Sequence, residues 1–253
     1  MIYDFNNKPL KIKKKGKIYP VDVELTEEGK DVLNISVNIC FWELVSDMDA
    51  DLSEWKKAVI EGIRDWGGEY KVFGDQPLSV RISVEETDKI IDSVIIAVYD
   101  EEMSKTVVDQ CGKLNYKKIN ELFGQGRSCA VKGLPIIGWK SYAPRLVCLM
   151  HPTLRDLNYA RAASRHEFGH VLGLGDLYKD PENGLQGVDG GAYKDIEKYY
   201  LGDSYYNMVM CNNGPVRDND IEMLLLAFET DKFQNYQKQK KRDKISEALG
   251  KGN

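Results

Sequence analysis

Histidine is scarce in this 253-residue chain, and two of its three histidines, His166 and His170, stand four positions apart with Glu167 directly after the first. On a helix, residues four apart share a face, so both imidazoles can be directed at one divalent cation while Glu167 leans beside it. Imidazole nitrogens suit zinc, and a carboxylate in that place can take a proton from a water activated there. Chance placement produces an H-E-x-x-H run on the order of once in a few hundred such chains. The competing explanation is a helix whose histidines only pack or form hydrogen bonds, and the residues that follow weigh against it.

Gly173 comes three residues after His170, where a glycine can take the left-handed conformation that ends a helix. The chain can then turn back and bring Asp176 toward the same cation. Two imidazoles and one carboxylate leave a fourth position open for water, the pattern of a catalytic rather than a structural zinc. His151 is the remaining histidine and the alternative third ligand. It lies just before Pro152, between a strand and a helix, where a loop residue or a hydrogen bonder at the rim of the site is the expected role.

The whole run His166-Glu167-x-x-His170-x-x-Gly173-x-x-Asp176 resembles the extended zinc motif of the metzincin metallopeptidases, in the variant with aspartate as third ligand that marks the snapalysin-like neutral proteases. The segment Tyr206-Asn207-Met208-Val209-Met210-Cys211-Asn212 is similar to that family's methionine turn, with Met210 as the turn residue and Met208 as the alternative. The resemblance implies a zinc-dependent endopeptidase in which His166, His170 and Asp176 hold Zn2+ and Glu167 is the catalytic base. It implies a protein or peptide substrate that binds extended, adding as a strand to a sheet edge drawn from residues 133–142. Where some metzincins place a tyrosine ligand, two residues after the methionine, this chain has Asn212, so no such ligand is expected. The implied fold is α+β: a twisted mixed sheet with an active-site helix, and a smaller C-terminal subdomain holding the methionine turn and a helix. On that pattern residues 1–29 form an N-terminal hairpin or extension. Residues 30–232 form the catalytic domain, with lobes at 30–176 and 177–232, and 233–253 form a polar tail.

The elements that must position the motif are visible in the hydrophobic pattern. Residues 32–44 read as a strand, and Leu52, Trp55, Val59, Ile63 and Trp66 recur at helical spacing over 51–66, with Ser53 or Asp51 as cap and Gly67-Gly68 as stop. Residues 78–84 alternate as a second strand and 93–99 form a short apolar run typical of a buried one, so the expected order is β-α-β-β. A short helix is expected at 116–123, another buried strand at 146–150, the motif helix at 157–172, a long ordered loop at 177–206 and a helix at 218–228. From Gln234 onward the sequence is polar and lysine-rich and is expected to fray or be disordered.

Bulk properties narrow the partners. With 35 basic and 40 acidic residues the formal net charge is −5, which offers no positive field for nucleic acid or an anionic membrane. The basic run Lys11-Ile12-Lys13-Lys14-Lys15-Gly16-Lys17 precedes alternating Val21, Val23 and Leu25 and reads as a charged hairpin turn. No membrane span and no secretory leader is expected from the residues present, the compartment stays open, and a monomer is expected. Five cysteines make a complete disulfide set impossible; Cys40 and Cys148 read as small buried hydrophobes, and Cys111 with Cys129 is the one pairing considered. Asp180, Asp189 and Asp195 lack calcium-loop spacing and read as solvated charge. Two other functions fit the same residues: a hydrolase of narrow target (an effector or toxin protease, or a cell-wall peptide amidase) and a non-catalytic module that kept its metal.

Overall fold

The computed structural model describes residues 1–4, 6–16, 19–27, 29–47, 51–103, 128–131, 145–149, 152–175 and 209–234. Their elements are β1 (Lys13–Lys14), β2 (Asp22–Glu27), β3 (Asp31–Leu44), α1 (Ser53–Arg64), β4 (Gly68–Val72), β5 (Gln76–Glu86), β6 (Val94–Tyr99), β7 (Cys129–Val131), β8 (Leu146–Leu149), α2 (Pro152–Arg155), α3 (Leu157–Val171), α4 (Val209–Asn212) and α5 (Asp218–Thr230). The chain is thus mixed α+β. No described helix is long and apolar enough to cross a membrane.

β3 is the spine of a mixed sheet. Along one edge it runs parallel to β5, from Asp31 opposite Leu78 to Ile39 opposite Glu86. Its other edge is shared, because residues 31–36 pair antiparallel with β2 and residues 39–44 pair parallel with β6. The sheet then continues through β8, parallel to β6, to β7, which is antiparallel and ends the described sheet. β1 pairs with β2, so Lys13 and Lys14 of the basic run form a short strand of the same sheet.

The strands at 32–44, 78–84, 93–99 and 146–150 and the helices at 51–66, 157–172 and 218–228 form where the pattern places them, within a few residues. The order β-α-β-β needs correction to β-α-β-β-β. β4 escapes the pattern because only Val72 of its five residues is buried, so it carries no apolar alternation. A turn at Phe73, Gly74 and Asp75, with φ of 46°, 82° and 72°, folds it back antiparallel on β5. The spans 116–123, 133–142 and 177–206 lie outside the described residues, as do Asp180, Asp189 and Asp195.

The core lies mainly between one face of the sheet and the helices. Leu33, Ile35, Val37 and Ile39 of β3 and Val94, Ile96 and Val98 of β6 join one apolar cluster with Val59 and Ile63 of α1 and Phe168 of α3. Ile95, Ala97 and Tyr99 of β6 point the other way into a second cluster with Leu146 and Cys148 of β8. β6 is therefore buried on both faces, as expected for an internal parallel strand. Cys40 and Cys148 are free and buried, and burial first, then the charges of Asp88 and Glu86, pushes the Cys40 thiol up. It therefore stays a thiol at neutral pH. The side chains of Cys111 and Cys129 lie outside the description.

Candidate metal centre

α3 carries the motif, and local chemistry defines both its ends. At its start the Asp156 carboxylate accepts from the N–H groups of Asn158 and Tyr159 at 2.9 and 3.1 Å, a side-chain N-cap. At its end Gly173 has φ of 96°, its N–H reaches the His170 carbonyl, and the Leu174 N–H reaches the Gly169 carbonyl, both at 3.0 Å. This pair of bonds is the Schellman motif, which satisfies carbonyls at a helix end and reverses the chain direction. The glycine expected to end the helix does so. Gly173→Ala forces a side chain onto that left-handed backbone and should destabilise the chain by about 1–2 kcal/mol, read as a lower midpoint in urea unfolding. An unchanged midpoint would show that the turn is not strained.

The same turn orients His170. Its Nδ1 lies 2.8 Å from the Leu174 carbonyl, and the Nδ1 of His166 lies 2.7 Å from the carbonyl of Val209 in α4. A carbonyl only accepts, so each Nδ1 carries the proton in the neutral ring and each Nε2 keeps a lone pair. A metal-binding imidazole commonly makes such a second contact, which fixes ring angle and tautomer. The two ring centroids are 5.2 Å apart. Glu167 stands between them in sequence, 5% exposed, with one carboxylate oxygen 4.0 Å from His170 Nε2. Burial, and then the charge of Glu167, pushes the Tyr159 hydroxyl up, so this tyrosine two turns before Glu167 stays a neutral donor.

Beneath the helix lies an apolar floor. A Cβ added at Gly169, between the two histidines, would meet Met210 Sδ at 2.3 Å and Trp66 Cζ2 at 2.9 Å. Glycine is therefore what lets the fully buried Met210 of α4 seat directly against the motif helix. Trp66 is held in turn by a 2.9 Å bond from its indole N–H to the Arg165 carbonyl. Asp65 accepts from Arg161 at 2.9 and 2.6 Å and from Arg165 at 2.9 Å, and Arg165 also donates to the Asn213 carbonyl at 2.5 Å. These bonds tie the end of α1, the motif helix and the turn after α4 together.

Of the four site residues expected from sequence, the structure brings His166, Glu167 and His170 together. Asp176, His151 and Met208 lie outside the described residues. Among those described, no group of three His, Cys, Asp or Glu side chains stands ready to hold a metal. The donor set that is described fits zinc nonetheless, since in the neutral rings Nε2 is the acceptor nitrogen of both histidines on one helix face, and the rings are braced from behind.

Sequence reasoning missed several supporting residues. Asp65, Arg161 and Arg165 look like solvated helix charge when read locally. Phe233 and Gln234 pack against the motif turn, so the expected frayed or disordered tail does not begin at Gln234; residues 235–253 lie outside the described residues. Gln234 is 6% exposed and pairs in parallel with Leu174. Its polar side chain gave no local sign of burial. Comparison with protein-family models, curated proteins and solved structures found no match.

Proposed function

We propose that the chain is a zinc-dependent endopeptidase of metzincin type, with His166, His170 and Asp176 as metal ligands, Glu167 as general base and Met210 as the methionine of the turn beneath them. The observation that carries this reading is the pair of Nδ1–carbonyl bonds, which hold both rings of one face of α3 in the same orientation, with Nε2 as the acceptor nitrogen of each neutral ring, beside a buried carboxylate. Histidines that served only to pack would not need both rings held in the same tautomer.

Zinc held there would supply Lewis acidity, making water acidic near neutral pH and polarising a peptide carbonyl. Glu167 accepts the proton that water gives up as its oxygen bonds to the carbonyl carbon, and delivers that proton to the amine nitrogen as the C–N bond breaks. His166 and His170 keep their orientation through Val209 and Leu174. Met210 and Trp66 supply a water-excluding floor under the helix. The substrate adds as an extended strand on the β7 side of the sheet, where β7 ends the described strand order and runs antiparallel to β8.

The test is metal analysis of the purified chain beside Asp176→Ala, together with cleavage of an unfolded protein. One zinc per chain in the parent, with both zinc and cleavage lost in the variant, is the expected result. Equal stoichiometric zinc in both would remove Asp176 from the ligand set. Zinc without cleavage of any protein, peptide or cell-wall peptide substrate would point to a non-catalytic module.

A further inference from the structure

The segment just after α5 is joined to the motif turn on three sides. The Gln234 N–H donates to the Gly173 carbonyl at 2.9 Å, and the Gly175 N–H donates to the Gln234 carbonyl at 2.7 Å. The side chain of Gln234 reaches back to Thr230 Oγ1 at 3.0 Å and the Lys232 carbonyl at 2.9 Å, fastening this strand to the end of α5. Phe233 lies beside the His170 imidazole in an offset, near-parallel arrangement, with centroids 6.3 Å apart and ring planes 15° from parallel. Farther back, Asp231 adopts a left-handed conformation with φ of 53° and accepts from Tyr19 and Lys14 at 2.6 and 2.8 Å. The N-terminal hairpin thus grips the residue from which the segment departs.

We infer that Phe233 and Gln234 are positioning residues for His170, a strap from α5 that fixes the ring angle and holds the Gly173–Gly175 turn whose Leu174 carbonyl orders that ring. The Leu174 carbonyl that meets His170 Nδ1 belongs to a glycine-flanked turn. Rotation of the imidazole about its bond to that carbonyl would still satisfy the hydrogen bond while carrying Nε2 out of line. The stacked phenyl ring removes this freedom, and the two main-chain bonds keep the carbonyl in place. Partners that orient a metal-binding histidine typically contribute about 10–100-fold in metal affinity. The consequence for affinity rests on the proposed zinc reading; the effect on the His170 ring does not.

The full-length chain is compared with Phe233→Ala, Phe233→Tyr and Phe233→Leu, using competition titration with zinc alone and NMR of the imidazole protons of the metal-free protein at about pH 8, where histidine is neutral. Phe233→Ala should weaken zinc binding about tenfold and shift the His170 ring signals as the ring current is lost. Phe233→Tyr, which keeps a stacked ring, should restore both. Phe233→Leu should fill the space without restoring either, which separates orientation from simple packing. Unchanged affinity and His170 signals in Phe233→Ala would overturn the inference, as would full rescue by leucine. If the parent chain binds no zinc, the metal reading fails by itself, and the His170 signals still decide the positioning role.

Discussion

Glu167→Gln lowers kcat/KM for peptide cleavage by about 10²–10⁴-fold while zinc binding is retained, as expected if this carboxylate is the base. In barrier terms that is roughly 3–5 kcal/mol. The exchange is informative because glutamine keeps the shape while removing the charge and with it the capacity to take a proton. Glu167 is 5% exposed, so a neutral amide in its place sheds the desolvation cost of a buried carboxylate, and the metal-free variant should melt no lower than the parent. A fall in activity with unchanged melting and unchanged zinc content therefore cannot be attributed to misfolding. Activity within threefold of the parent would remove Glu167 from the reaction and favour a base outside the described residues.

Gly62→Ala has the largest expected effect on stability. A Cβ at this position would sit 2.2 Å from the Arg161 carbonyl oxygen and 2.1 Å from Ser164 Oγ. Ser164 can turn away, although its hydroxyl would then give up its 3.1 Å bond to the Val59 carbonyl. The Arg161 carbonyl belongs to the backbone of α3 and cannot move alone, so the two helices must separate. Two terms compete. Alanine in place of glycine favours a helix by about 1 kcal/mol, whereas forcing extra volume into a tight contact costs about 1–3 kcal/mol and occasionally more. Because the obstacle is backbone, the upper end applies and the net loss is about 2 kcal/mol. For a chain of this size that lowers Tm by roughly 4–8 °C, measurable by calorimetry. A rise in Tm would mean that the helices tolerate the added carbon and that their close approach contributes nothing. Displacing α3 also moves His166 away from the Val209 carbonyl that orients it, so zinc affinity should fall along with Tm.

The fold was legible wherever local pattern and tertiary environment agree. Long apolar or alternating runs such as 31–44 and 94–99 have one sensible environment, the interior of a sheet, and the 3.6-residue spacing of Trp55, Val59 and Ile63 has one buried face. β4 was illegible because its residues are mostly exposed and its existence depends on a turn of three left-handed residues. Gln234 misled for a related reason. A polar side chain predicts exposure until a neighbouring helix end offers it partners, and here Thr230 and Lys232 supply them.

The candidate site divides in the same way. Sequence by itself determined that His166 and His170 share a helical face with Glu167 beside them, and that Gly173 ends that helix, because helix periodicity and glycine's tolerance of positive φ act over a few residues. Only the tertiary structure decided which carbonyl orients the ring of His166. Val209, which orients His166, lies 43 residues farther along the chain, and nothing in the motif specifies it. The same holds for Met210 against Gly169, for Asp65 between two arginines, and for Phe233 beside His170. Each of these contacts joins segments brought together by burial of the apolar faces of α1, α3 and α5. Spacing along the chain places the two imidazoles and the carboxylate together, and packing across it sets their angles.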